Sequence, residues 1–251
     1  MSRMIDINCD LGEGFPNDAE LMLYISSANI ACGYHAGDEE TMRRTVELAM
    51  ENFVAVGAHP GYDDKENFGR TPKQLSFDEI QTLVSDQLLR MKKVCDLLGA
   101  EMVHVKPHGA LYNQAAKDRE IAAAIVEGIR AVDSSLIFYG LPNSVMIEEA
   151  ERMGLRTASE VFADRTYQAD GTLTPRSEPD ALIDDIENCK AHVLRMVREQ
   201  TVIATDGTVV PIKADTICIH GDGTHAVEFA SAIHRALTDK GIEIGTRSIW
   251  I

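Results

Sequence analysis

Apolar and polar positions alternate at the start of the chain: Ile5, Ile7 and Cys9 fall on one side of an extended segment, Asp6, Asn8 and Asp10 on the other. Strands inside parallel sheets usually read as unbroken apolar runs, so a buried strand with one polar face needs partners for its carboxylates. Further β-like runs at 28–32, 54–59, 102–106, 136–140, 157–162 and 216–220 each precede a helical pattern. This βαβα order predicts a parallel sheet wrapped by helices, an α/β barrel-like fold of about seven strands. No repeat, low-complexity tract or linker divides the 251 residues, so residues 1–251 read as a single barrel-like domain. Left open, such a barrel would show an edge that a terminal segment or a partner must cover.

Helix punctuation supports the reading. Asn17 with Glu20, and Ser76 with Glu79, have capping-box spacing, and Gly99, Gly154 and Gly241 follow helical stretches where a left-handed cap residue is wanted. Asp206-Gly207 between two β-like runs predicts a two-residue hairpin. Two long loops, 60–75 and 163–177, follow strands and belong on the same face.

Charge narrows the function. Twenty-four Lys and Arg against 40 Asp and Glu give a net charge of −16, which repels phosphate backbones and anionic lipid and leaves a small molecule or a protein as partner. Five cysteines without a Cys-x-x-Cys spacing fit free thiols in a reducing compartment, and Cys9 and Cys32 sit in apolar alternation as small hydrophobes rather than nucleophiles. With no basic, apolar leader and no membrane-length apolar run, the expected location is the cytosol.

Reacting groups of parallel α/β folds lie at the C-terminal ends of strands. Asp10 ends the first strand, His59 the third and His220 the seventh; Glu160 lies on the sixth, and Asp222 follows in a Gly-Asp-Gly turn. His104, Lys106 and His108 share one face if the fourth strand runs on through Pro107, placing positive partners opposite Asp6 and Asp10. The His104-x-x-x-His108 spacing lies on a strand across a proline, so it is not a helical zinc pair; Asp10, His59 and His108 could still hold one divalent ion from three strands. Gly12-Glu13-Gly14 and Gly221-Asp222-Gly223-Thr224 lack both the phosphate-loop lysine and the dinucleotide spacing, although the second opens a helix whose N-terminus favours an anion. Arg70, Arg165 and Arg176 lie on the long loops, where they could fork onto a carboxylate or phosphate or simply be solvated.

Taken with Asp6–Gly14, the segments Ser27 to Asp38, Gly57-Ala-His-Pro-Gly61, Asn67-Phe-Gly-Arg70, Val105-Lys-Pro-His-Gly-Ala-Leu-Tyr-Asn113, Glu160 to Arg165, Pro175-Arg176 and His220-Gly-Asp222 resemble the LamB/YcsF family, in order along nearly the whole chain. The tail from 245 to 251 lies outside the resemblance. Membership implies a barrel akin to glycoside hydrolases and deacetylases. It also implies ATP-dependent opening of 5-oxo-L-proline to L-glutamate, with ATP as co-substrate and partner subunits B and C. Within that chemistry Asp10 or Asp222 is a candidate general base, and His59 or His108 a candidate proton donor to the departing nitrogen. Lys106 with Arg70 or Arg165 would hold carboxylate or phosphate. Asn8, His35, Glu160, Arg176 and His220 complete the expected binding surface. Two rivals remain: a stand-alone metal-dependent amide or acetyl hydrolase, and a non-catalytic subunit that binds a carbohydrate-like small molecule.

Overall fold

The structure, a computed structural model, describes residues 4–223 and 225–246. Its strands are β1 (Met4–Leu11), β2 (Ser27–Ala31), β3 (Ala55–His59), β4 (Met102–Val105), β5 (Ile137–Gly140), β6 (Arg156–Phe162), β7 (Thr201–Ile203), β8 (Val209–Pro211), β9 (Thr216–His220) and β10 (Glu243–Ile244). The helices are α1 (Asp18–Leu21), α2 (Glu39–Glu51), α3 (Phe77–Leu98), α4 (Gly109–Ala115), α5 (Arg119–Val132), α6 (Val145–Arg152), α7 (Ile186–Glu199) and α8 (Ala226–Thr238).

Strands β1 to β6 pair in sequence order and all in parallel; β9 then pairs with β6 on one side and with β1 on the other. The seven strands therefore form a closed barrel, and the open edge expected from sequence does not exist. Thr216 is opposite Glu160 across one seam and opposite Asp6 across the other. The short β10 adds to β1 at Met4 and Ile5, at the N-terminal end of the barrel.

Each apolar stripe goes to the helices. Ile5, Ile7, Cys9 and Leu11 are buried in one core with Leu21, Ile233 and Leu237, while the alternate residues Asp6, Asn8 and Asp10 turn inward and are buried as well. All five cysteines are buried and free, as expected, and burial pushes the Cys32 thiol up to about 12.

The helix and turn signals hold in part. Ser76 and Glu79 make the reciprocal capping box of α3, and Gly99 closes that helix at φ 72°. Asn17 caps nothing with its side chain: α1 is only four residues long, and the Asn17 amide instead donates to Gly221 O at 3.0 Å, tying the loop after β1 to the loop after β9. The β7–β8 hairpin is present, but its turn is longer than two residues, closed by Gly207 N to Ala204 O at 2.9 Å and Ala204 N to Thr208 O at 2.8 Å. β4 ends at Val105, yet Lys106 N and His108 N still donate to Ala58 O (3.0 Å) and Pro60 O (2.8 Å), so the chain stays in register past Pro107, which has no N–H to give. Gly57 has a packing reason: a Cβ there would sit 2.1 Å from the His104 ring.

Candidate active site

The polar side chains of the barrel interior form three layers. In the lowest, the Asp6 carboxylate accepts hydrogen bonds from Ser26 Oγ (2.6 Å), Ser27 Oγ (2.8 Å), Thr216 Oγ1 (2.5 Å) and Tyr139 OH (3.2 Å). Burial raises its pKa, and these hydroxyls pull against that rise. Above it, Asn29 donates to Asn8 Oδ1 (2.7 Å) and Asp10 Oδ1 (2.8 Å), and His104 Nε2 donates to Asn29 Oδ1 at 2.9 Å. Burial drives His104 down to about 3, so this ring is a neutral member of the network and not the counter-charge that its alternation with Lys106 implied.

The third layer centres on Lys106, which is 2% exposed. Its ammonium donates to Asp10 Oδ1 at 2.7 Å, lies 2.9 Å from a Glu160 oxygen, and approaches Cys218 Sγ at 3.0 Å. Burial opposes the charge, but Asp10 and Glu160 overcome it and hold Lys106 well above its usual range. Asp10 moves the other way: burial raises it, but His59 and Lys106 outweigh burial and keep it firmly ionised. Asn8 belongs to this scaffold, 3.5 Å from Lys106 Nζ, and lies below the cavity rather than on its wall.

At the C-terminal ends of β1 to β4 three imidazoles crowd around Glu13. His59 Nδ1 donates to Lys106 O at 2.7 Å and His108 Nε2 donates to Phe68 O at 2.8 Å; a carbonyl only accepts, so both tautomers are fixed. The remaining nitrogens, His59 Nε2 and His108 Nδ1, face each other at 2.9 Å. Glu13 Oε1 lies 3.3 Å from His35 Nε2, 3.5 Å from His108 Nδ1 and 3.9 Å from His59 Nε2, and Asp10 Oδ2 lies 3.4 Å from His59 Nε2. Burial depresses His35 and His108, while burial and then the charges of Asp10 and Asp222 push Glu13 well up. The converging set is thus Glu13, His35, His59 and His108, with Glu13 in the place expected of Asp10; Asp10 groups with Cys218 and His220. In the sequence Glu13 reads only as part of a glycine-rich turn. Its available signal is an acid just beyond the C-terminal end of the first strand.

Above these layers opens a cavity of about 550 Å³, lined by Asp10, His59, Lys106, His108, Phe162 and His220 at its floor and by residues of both long loops. The two loops do share one face. His220 Nδ1 meets Asp164 at 2.8 Å and the ring stacks on Phe162. Burial raises Asp164, but His220 together with Arg176 and Arg165 more than offsets it and the carboxyl stays below its usual value. Sequence reasoning misses Asp164, though it directly follows the sixth strand in Ala163-Asp164-Arg165. Arg70 pairs with Asp222 at 2.6 Å on the rim. Arg165 is buried and donates to Thr174 O (2.6 Å) and Ala181 O (3.3 Å), so it braces its own loop; burial, followed by the charge of Arg176, lowers it to about 10. Arg176 is exposed at the cavity mouth. The helix after the Gly-Asp-Gly turn begins at Ala226, and Thr224 lies outside the described residues.

Among the described residues no helix is long and apolar enough to cross a membrane. The chain is 51% identical over 245 residues to the A subunit of a 5-oxoprolinase from Staphylococcus carnosus (strain TM300), with 96% of this chain and 97% of that protein covered. It is 52% identical over 240 residues to the A subunit of a 5-oxoprolinase from Histophilus somni (strain 129Pt), with 96% and 97% covered. The crystal structure of a lactam utilization protein from Thermus thermophilus superposes with a TM-score of 0.92 at 41% identity, covering 97% of this chain and 99% of that one. A T48 deacetylase shares the fold, with a TM-score of 0.50 at 11% identity over 99% and 91% of the two chains. The family model for LamB/YcsF matches residues 5–249, which carries the likeness into the tail beyond 245 that the motifs leave out. A closed seven-stranded barrel whose strand ends carry these acids and imidazoles, matched along almost all its length, belongs to the LamB/YcsF family.

Proposed function

We propose that this chain opens the lactam ring of 5-oxo-L-proline as the A subunit of an ATP-hydrolysing 5-oxoprolinase, working with subunits B and C. The observation that carries this reading is the match, at about half identity across 96% of the chain, to proteins named as the A subunit of 5-oxoprolinase. The cavity adds support: it suits a small acid, with Arg176 at its mouth and Asp10, Lys106 and His220 at its floor.

An unstrained lactam is a poor electrophile, so the ring carbon must be activated before water attacks. The sequence has no phosphate-loop lysine spacing, and we assign the transfer of phosphate from ATP to the amide oxygen to subunits B and C. In this chain Arg176 receives the substrate carboxylate at the rim, and Lys106 faces the oxygen that carries negative charge. Asp10 takes the proton of the attacking water. A carboxylate held so firmly ionised is a weak base, and it acts here on a carbon that is already activated. The carbon–nitrogen bond then breaks with its electron pair going to nitrogen, and His220 supplies the proton while Asp164 holds its Nδ1. A second water releases phosphate from the resulting acyl phosphate, leaving glutamate. His59 and His108 have their N–H groups turned to backbone carbonyls, so the proton donation first expected of them passes to His220. Five free cysteines and an ATP co-substrate fit the cytosol.

The test is glutamate release from 5-oxo-L-proline by this chain alone and with subunits B and C, with and without ATP. Release only in the ATP-supplied complex, reduced roughly 10²- to 10⁴-fold by His220→Gln, is the expected result. Release by the chain alone without ATP would replace this reading with a stand-alone amide hydrolase. Full turnover after both Asp10→Asn and His220→Gln would reduce the chain to a binding role.

A further inference from the structure

We infer that Glu13, His59 and His108 form a binding site for one divalent transition-metal ion of the zinc class, with a coordination position open to the cavity. The inference rests on the convergence of ligand atoms and on the hydrogen bonds made by the second ring nitrogens, and does not require the 5-oxoprolinase reading.

His59 Nε2 and His108 Nδ1 approach to 2.9 Å, a hydrogen-bond distance, yet each ring has already given its N–H to a carbonyl, Lys106 O for His59 and Phe68 O for His108. The two ring nitrogens left over face each other, and carboxylate oxygens lie close by: Glu13 Oε1 is 3.5 Å from His108 Nδ1 and 3.9 Å from His59 Nε2, and Asp10 Oδ2 is 3.4 Å from His59 Nε2. Ligand atoms of Glu13, His59 and His108, almost wholly buried, thus converge within reach of a single ion. Histidines that bind metals characteristically commit the second ring nitrogen to a carbonyl or carboxylate, as both do here. Donors 2.0–2.1 Å from a tetrahedral ion lie about 3.3–3.4 Å apart. The three separations among Glu13 Oε1, His59 Nε2 and His108 Nδ1, at 2.9, 3.5 and 3.9 Å, bracket that edge.

His35 is a positioning residue in this arrangement. Its ring lies parallel to His108 within 4° at 3.8 Å between centroids, and two stacked rings cannot both aim in-plane lone pairs at one ion. Its Nε2 faces Glu13 at 3.3 Å, so it orients the carboxylate. Gly61 and Gly69 make room for the stack, since a Cβ at either would come within 2.7 Å of His35. His59 and His108 line the cavity, so an ion held there would have a coordination position on the side where substrate enters. Two imidazoles and one carboxylate suit zinc, and also cobalt(II) and iron(II), better than magnesium or calcium.

The decisive measurement is metal content and cobalt binding on the folded chain. Chelator-treated protein should take up one zinc per chain by elemental analysis. With cobalt(II) it should develop the visible d–d bands of a low-coordinate site. Glu13→Gln, His59→Gln and His108→Gln should each weaken zinc more than about 100-fold, and His35→Gln by about 10- to 100-fold with stoichiometry kept. His220→Gln should leave zinc affinity unchanged. Melting of wild-type protein with and without zinc guards against variants that fail to fold: the midpoint should rise with zinc. No uptake by wild type, or loss that follows Cys218 and His220 instead, overturns the inference. So does a nitrogen-15 spectrum in which a proton shared by His59 and His108 persists in excess zinc. Every one of these readouts is independent of glutamate release.

Discussion

Lys106 Nζ holds Asp10 Oδ1 at 2.7 Å in the middle of the barrel, 96 residues apart in sequence and on β1 and the end of β4 in space. Both side chains are almost wholly buried, so each charge depends on the other. Lys106→Met should leave Asp10 and Glu160 without their shared cation and destabilise the fold by about 3–5 kcal/mol. Urea unfolding measures this, and adding Asp10→Asn should recover part of the loss. An unchanged unfolding midpoint in Lys106→Met would mean the cation is dispensable to the fold.

Gly57→Ala puts a methyl group 2.1 Å from the His104 ring, which is hemmed in by Asn29 and stacked on Tyr139. The ring must leave its place, at a cost of about 1–3 kcal/mol or more. If the clash is the cause, Gly57→Ala should cost much less in a His104→Ala background than alone. Equal costs in the two backgrounds, measured by thermal melting, would refute this account.

Glu149 is buried between Arg152 and Arg119, and the hydrogen bond from Arg152 lowers its pKa from 4.5 to about 2. Because the folded value lies below the unfolded one, its contribution to stability is complete above pH 4.5 and is lost as pH falls toward 2. The gap in melting temperature between wild type and Glu149→Gln should therefore be constant near neutrality and close in that window. A gap that persists at the acid end would contradict the assignment.

Asp164→Asn should act through His220. The expected result is a fall in kcat approaching that of His220→Gln with KM little changed, whereas Arg176→Ala should raise KM and leave kcat nearly intact. The opposite split would exchange the roles given to these residues.

The barrel is legible in the sequence because period-two alternation in β1 and the strand–helix rhythm are local signals. Closure is not, since only three-dimensional twist decides whether β9 can reach β1. Asp10, Lys106, His59 and His108 can be grouped because strand ends converge by topology. Glu13 and Asp164 lie just past strand ends, in loops whose course no periodicity predicts. Asn17 shows the converse error: its spacing to Glu20 fits a capping box, but a partner more than 200 residues away, Gly221, claims its amide.

The seam between β1 and β9 also sets a timetable for biosynthesis. Asp6 cannot acquire its hydrogen bond from Thr216, nor Asp10 its place beside His220, until β9 has left the ribosome. Until then the first strand of the nascent polypeptide offers an unpaired flank with buried-type carboxylates exposed, and closure waits on contacts some 210 residues apart. Truncations that stop short of β9 should therefore yield chains that associate with chaperones or with each other, and no smaller working barrel.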